Sequence, residues 1–514
     1  MNNLTPPTLQ HDFLDALPEL SVAAQAQPCP NPQLVVCNDE LAEEIGIAPS
    51  WLRTREGIDF LCGANLAEGT QPISQGYAGH QFGSLSPRLG DGRAMLLGEI
   101  ADATGRLRDI HLKGSGRTVW ARGGDGLCPL EPALKEYAFS EAMHALGVPS
   151  NRALAVIDTG ATVYRTTAER AAILVRVADS HLRIGTFQYA ALLDINSFQD
   201  SSMGLTRRVA DYAIARHYPE LAVGPDRYVQ LFRAVMNRQA DLVAKWMRFG
   251  FIHGVMNTDN ITISGETIDF GPCAFMDYFA PSTVYSSIDT AGRYAYDQQP
   301  TVMGWDLARL AETLVPLVDA PSGLPAGDSG KAAVGGVEQL TAVMNEYPEA
   351  YQQAWTREMA EALGIEHASD ADKDSLISAF LTLAAHQQPD YTATLRALAE
   401  TTAVETSPVR AHLSGDTADQ WLRRWWALHP TTETMLQRNP AVIPRNHALK
   451  AAMQRINDEG LDAADDYLRI VDAVRHPFTV TGDLPAVATS AGMKNPILSA
   501  VPKDRADFTT YCGT

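Results

Sequence analysis

The chain has 514 residues, with 41 Lys plus Arg against 61 Asp plus Glu, a formal net charge of −20 and a pI near 5.0. So acidic a protein repels nucleic-acid phosphates and anionic lipid headgroups, so neither is expected as a partner. No run of about 18 apolar residues and no basic, apolar leader is present, which argues against a membrane-spanning helix and leads to the expectation of a cytoplasmic protein, a monomer by default.

Residues 1–30 are polar and Pro-rich and are expected to be a partly ordered lead-in. Residues 31–150 read as a small lobe. Within it, Gly76-Tyr77-Ala78-Gly79-His80-Gln81-Phe82-Gly83 and Arg88-Leu89-Gly90-Asp91-Gly92-Arg93 are glycine-rich loops that let backbone approach a phosphate, with Arg93 as a fixed positive fork. Ala94–Ile100 and Asp109–Lys113 predict two strands joined by a turn at Gly105, and Lys113 ends the second. Gly123-Gly124-Asp125-Gly126 breaks the chain, and Pro132–Leu146 predicts a helix stopped by Gly147, with Glu136 in about its first turn.

Residues 151–320 read as hinge and catalytic large lobe. A strand over Ala171–Val175 is followed by Arg176 and Arg183, and Asp226–Phe249 predicts a long helix capped by Gly250. The loop His253-Gly254-Val255-Met256-Asn257-Thr258-Asp259-Asn260 then precedes two short strands, Ile261–Ile263 and Thr267–Asp269, the second running into Asp269-Phe270-Gly271. A buried helix begins at Trp305, with Asp306 placed to anchor the loop backbone. Residues 321–336 read as a linker, 337–500 as a helical C-terminal extension packed on the large lobe, and 501–514 as a flexible tail.

Glycine loop, strand Lys113, helix Glu136, His-to-Asn loop and Asp-Phe-Gly occur in the order of a protein-kinase site. Each piece alone is weak; the order makes them specific. The fold class expected is therefore α+β, a two-lobed protein-kinase-like fold. One part is missing: Val255 stands where a kinase has its catalytic Asp.

On these motifs, together with His111-Leu112-Lys113-Gly114-Ser115-Gly116 and the block Arg122–Asp125, the chain resembles the selenoprotein O (SelO/YdiU) family of protein adenylyltransferases, from about residue 30 to the tail, as a Cys-containing bacterial-type member. The resemblance implies an ATP bound in flipped orientation and AMP transferred to protein Ser, Thr or Tyr hydroxyls, with pyrophosphate leaving. It places the nucleotide contacts on Gly90, Gly92, Arg93, Lys113, Asp125, Gly126, Arg176, Arg183 and Asp269, and the metal ligands for Mg²⁺, or Mn²⁺ in its stead, on Asn260 and Asp269. Catalytic roles fall on Lys113 and Glu136 as an orienting pair and on Asp259 as proton acceptor; the alternative for Asp259 is an orienter of a metal-bound water. Arg176 and Arg183 suit the leaving phosphates of a reversed nucleotide.

Two other functions fit the same residues. One is γ-phosphate kinase activity, which Val255 disfavours; the other is a silent pseudokinase serving as a redox or interaction module, which retention of Lys113, Glu136, Asn260 and Asp269 disfavours. Six cysteines (Cys29, Cys37, Cys62, Cys128, Cys273, Cys512) show no C-x-x-C spacing, so no structural zinc is expected. Cys512 takes the third position from the end, where selenoprotein members of the family carry selenocysteine. A redox-linked function is expected from it, with Cys273 as the partner of most consequence and a small buried hydrophobe as the alternative reading of Cys273.

Overall fold

The computed structural model describes residues 5–196, 204–319, 335–479 and 509–510. Its centre is an eight-stranded antiparallel sheet in the order β1-β3-β6-β7-β10-β9-β2, with β8 added to β10. The strands are β1 (Ser21–Ala23), β2 (Gln33–Cys37), β3 (Ile73–Gln75), β6 (Ala94–Ala101), β7 (Leu107–Lys113), β8 (Cys128–Pro129), β9 (Arg152–Tyr164) and β10 (Ala168–Ala178). Between β3 and β6 a separate hairpin forms from β4 (Gly79–Gln81) and β5 (Ser84–Ser86). This is a mixed α/β architecture, antiparallel in its sheet and helix-rich beyond it.

The period of two along a strand separates two chemistries. Ile110 and Leu112 of β7, with Ile173, Val175 and Val177 of β10, face an apolar cluster closed by the short helices α2 (Asp39–Glu44), α3 (Pro49–Leu52) and α4 (Arg55–Leu61). The alternating positions Asp109, His111 and Lys113 face the other way. Register places Arg176 opposite His111 and Leu174 opposite Lys113, so Lys113 and Arg176 emerge on one face of neighbouring strands.

Against that face lies α5 (Leu130–Ala145), buried on nearly every side through Leu134, Tyr137, Ala138, Phe139 and Met143. A helix apolar all round must be enclosed. The enclosure comes from the C-terminal extension: α17 (Asp465–Arg475) packs on α5, where the Tyr467 hydroxyl donates to the Leu134 carbonyl at 2.8 Å. The extension therefore packs on the first half of the chain as well as on the helices after it. It also backs the helix that carries Glu136. Its earlier part, α11 (Tyr347–Leu363), runs along α8 (Arg227–Phe249), joined by the buried pair Arg248–Glu358 at 2.9 Å.

The sequence-predicted elements 94–100, 109–113, 132–146 and 226–249 all form, within two residues of expectation, and Gly250 caps α8 at φ +67. Four expectations change. The lead-in is part of the core: Phe13, Leu17 and Leu20, at spacings of four and three, are buried, and β1 joins the sheet edge. The pair 261–263 and 267–269 forms only a single bridge, Ile261 to Thr267, because Asp269 turns out of extended geometry at φ +65. The helix expected at Trp305 starts six residues earlier, as α9 (Gln299–Asp319). The linker 321–336 lies outside the described residues but for its last two, and Gly336 already begins a helix.

Candidate active site

The cleft of about 800 Å³ beneath the sheet is lined by residues from both sides of the chain: Gly90, Gly92, Arg93, Lys113, Asp125, Gly126, Arg176 and Arg183 from the first half, and Val255, Asp259, Asn260 and Asp269 from the second. Every nucleotide and metal position expected from sequence thus lines one cavity. Glu136 sits behind it, in the second turn of α5 and not the first, because the helix starts at Leu130.

Four charges form its floor. Lys113 Nζ donates to Glu136 Oε2 at 2.6 Å and to Asp269 Oδ1 at 2.9 Å. The Arg176 guanidinium reaches Glu136 Oε1 at 2.5 Å and the same Asp269 oxygen at 2.9 Å. Two positive and two negative groups therefore balance in a place too dry to tolerate an unpaired one. Burial would raise the Asp269 carboxyl, but Lys113 and Arg176 outweigh it and hold the group well below the ordinary carboxylate range.

Asp269 keeps its left-handed backbone through a tight turn, Gly271 N–H to Asp269 carbonyl at 2.9 Å, and Lys135 of α5 donates to the Gly271 carbonyl at 2.7 Å. The same helix thus bears on both ends of the Asp-Phe-Gly turn, Lys135 directly at Gly271 and Glu136 at Asp269 through Lys113 and Arg176.

The His253–Asn260 loop is held from several directions. His253 is fully buried, its Nε2 2.9 Å from the Ile268 carbonyl. Gln299 at the start of α9 accepts from the His253 N–H at 3.0 Å and donates to the Phe251 carbonyl at 2.9 Å. This anchoring role falls to Gln299, which sequence reasoning missed. Asp306, expected to do it, is buried with neither carboxylate oxygen hydrogen-bonded, and burial pushes its carboxyl well above the usual range. Asn260 turns its amide nitrogen to the Val255 carbonyl at 2.9 Å, which leaves the amide oxygen as its remaining donor atom.

Asp259 is 8% exposed, and its Oδ1 has no hydrogen-bond partner. Burial pushes its carboxyl up to about 6, with Arg183 pulling the other way. Arg183 itself donates to the Asp259 carbonyl at 3.0 Å and lies over the Tyr77 ring at 4.4 Å. The two arginines read from sequence as cleft-side cations are there, yet both are buried and already engaged.

The glycines also serve a packing purpose that their motif does not announce. A Cβ on Gly90 would fall 2.5 Å from the Trp120 ring, one on Gly92 3.0 Å from the Trp120 carbonyl, and one on Gly126 2.1 Å from Gly116. They let three loops pack against one another at the cleft edge. Asp91 is a brace among them: its carboxylate accepts from Gln75 N–H at 3.0 Å and lies 3.3 Å from His111 Nε2. Asp125 stands at the mouth, paired with Arg165 at 2.7 Å.

Among the described residues no cluster of three His, Cys, Asp or Glu could hold a metal alone. Asn260 and Asp269 supply two hard oxygen donors, the type and number with which Mg²⁺ is commonly held when substrate phosphates complete its shell. Cys273 is buried, and burial pushes its thiol up to about 12, so it is the small buried hydrophobe of the two readings. Cys512 lies outside the described residues. The tail is docked at Thr510, against expectation: its N–H donates to the Tyr285 carbonyl and its hydroxyl to the Pro272 carbonyl, both at 2.7 Å. Polar bonds fix it where apolar surface is lacking.

The profile of the protein adenylyltransferase SelO family matches residues 8–473. The chain belongs to this family. It is 46% identical over 508 residues to the protein nucleotidyltransferase YdiU of Mycolicibacterium smegmatis, covering 99% of this chain and 98% of that one. It is 47% identical over 496 residues to the YdiU protein of Cereibacter sphaeroides, covering 95% and 96%, and 45% identical over 508 residues to that of Pseudarthrobacter chlorophenolicus, covering 98% and 97%. The family is one of enzymes, with ATP as the fitting substrate and proteins as acceptors. No helix among the described residues is long and apolar enough to cross a membrane.

Proposed function

We propose that this member of the SelO family transfers AMP from ATP to Ser, Thr or Tyr hydroxyls of proteins, within a kinase-like two-lobed arrangement. The observation that carries the reading is the pair of buried guanidinium groups, Arg176 and Arg183, in a cleft that has Val255 where a kinase would place its base. Cations deep in the cleft suit the β- and γ-phosphates and leave the α-phosphate toward the mouth.

In this reading the acceptor oxygen attacks Pα, the bond from Pα to the bridging oxygen of Pβ breaks, and pyrophosphate departs. Asp259 takes the hydroxyl proton on its unpartnered Oδ1. Its elevated carboxyl suits a base poised between carboxylate and neutral acid. Lys113 and Arg176 exchange part of their contact with Glu136 and Asp269 for phosphate oxygens, while Glu136 keeps both side chains aimed. Asn260 and Asp269 would hold Mg²⁺, with Mn²⁺ as the alternative; when bound, the ion neutralises phosphate charge. Nothing in this chemistry calls for a second subunit, so a monomer stays the reading. A redox link through Cys512 stays part of the proposal, with the buried Cys273 its less accessible partner, and peptide mapping without reductant tests it.

The deciding experiment supplies ATP labelled on the α- or the γ-phosphate. Incorporation of α-label into protein is expected; incorporation of γ-label alone returns the site to kinase chemistry, and neither label to a silent module.

A further inference from the structure

The hairpin β4–β5 reaches from the base of the site to the surface. Its first residue, Gly79, lies so close to Asp259 that a Cβ there would fall 2.2 Å from Oδ1. Its tip is Phe82-Gly83, with φ +50 and +84. Positive φ at both central residues is what a two-residue I′ hairpin turn demands, and it favours Asn-Gly; an aromatic residue in the first place is strained. The strain is held by the Phe82 N–H, which donates to Asn257 Oδ1 and to the Tyr294 hydroxyl oxygen, both at 3.1 Å.

Phe82 nevertheless remains 36% exposed, and Leu85, paired across the hairpin with His80, is 45% exposed. The Phe82 ring lies 5.1 Å from Tyr294, on the segment that also carries Ile288, which is 53% exposed and lines the same cleft. That segment is fixed in turn: Asp289 accepts from the N–H groups of Arg293 and Tyr294, and Ser287 N–H donates to the Thr510 carbonyl at 2.9 Å. Two apolar side chains, Phe82 and Ile288, therefore stand partly in water at the rim of the cleft, with Leu85 exposed beside them on the same hairpin, and Phe82 costs backbone strain to keep.

We propose that Phe82, Leu85 and Ile288 form the docking surface for the acceptor protein, binding an extended segment through an apolar residue near the modified hydroxyl. This rests on the AMP-transfer reading, because the occupant must be the chain whose hydroxyl reaches Asp259. The continuity of the patch with the cleft names that occupant. Phe82 is three residues from Gly79, roughly 10 Å along a strand. An extended acceptor lying beside the hairpin therefore presents its apolar residue about three positions from the hydroxyl.

The test uses two ten-residue peptides with a single central Ser, one carrying Leu three positions to either side and the other Asn in those places. With α-labelled ATP and Mg²⁺, the full-length enzyme is expected to prefer the Leu peptide by about tenfold in kcat/KM. Phe82→Asn, which suits the turn backbone better than Phe, should bring the ratio near one, and Ile288→Asn should lower it independently. Because Phe82 and Ile288 also line the nucleotide cleft, kcat/KM with the Asn peptide is the reference in each variant, so that only a change in the ratio of the two peptides counts. Transfer to both peptides at equal rates by the wild type, or a ratio that survives both substitutions, overturns the docking surface and leaves AMP transfer standing. Absence of α-label transfer to any protein or peptide sinks the AMP-transfer reading first. A concentration-dependent dimer that Phe82→Asn disperses would assign the patch to a second copy of the chain and overturn the proposal.

Discussion

Lys113 and Arg176, on adjacent strands, converge on the same two carboxylates: each touches Glu136, and each lies 2.9 Å from Asp269 Oδ1. The square is neutral and nearly dry, so each of its members is committed to the others until phosphate arrives.

Removing one charge from it exposes the balance. Glu136→Gln should destabilise the resting protein by about 3 kcal/mol, because two buried cations are left with a single half-buried partner. Saturating ATP should recover part of that loss, since phosphates supply the missing negative charge. Urea unfolding with and without nucleotide measures both; an equal loss in the two conditions would separate the square from the nucleotide site.

Asp269→Asn keeps an oxygen but removes the negative charge proposed for the metal, and with it the shared counter-charge of Lys113 and Arg176. Transfer of α-label should fall on the order of 100-fold, about 2.7 kcal/mol of barrier. Raising the Mg²⁺ concentration should restore little of it. Turnover close to wild type would remove Asp269 from the metal assignment.

Gly79→Ala places a methyl group in the space that Asp259 Oδ1 occupies, 2.2 Å from the built Cβ. The carboxylate is the movable partner, so it should rotate away. Turnover is expected to fall about tenfold with ATP affinity unchanged, which corresponds to ~1.4 kcal/mol of barrier. Asp259→Asn should lose at least as much. If Asp259→Asn turns over normally at every pH, Asp259 is an orienter and not the base.

Glu266 offers a stability test away from the chemistry. Burial, helped by the nearby Asp179 carboxylate, raises its carboxyl from 4.5 to about 8, while Ser264 and Arg108 oppose the shift. A raised folded-state value means that the folded protein holds the proton more tightly than the unfolded chain. The stabilisation is fully present below pH 4.5 and is lost as pH rises through about 8. Glu266→Gln keeps the neutral form, so wild type should lose on the order of 4 kcal/mol relative to the variant between pH 5 and pH 9. Parallel stability curves for the two proteins would show that Glu266 ionises normally.

The sequence alone determined which side chains meet in the cleft. Lys113, Glu136, Asn260 and Asp269 were legible because strand alternation, helix punctuation and a fixed-length loop are local properties, and the motif order joined them before any contact was known. The long helix α8 was legible for the same reason, as its apolar spacing and Gly250 are written within one segment. Only the tertiary structure decided who serves whom. Gln299 takes the anchoring role because it begins a helix beside His253, whereas Asp306, the residue of the expected type, is buried with both carboxylate oxygens unpartnered. Gly90 and Gly92 are spent on Trp120, a partner nearly thirty positions away that no pattern announces. Arg176 and Arg183 read from sequence as cleft-side cations, and how deeply they are buried depends on what the rest of the chain lays over a strand. Exposure works in the other direction at Phe82: an aromatic residue in a chain of average hydropathy reads as core, and only the turn it occupies and the loop it rests on keep it in water.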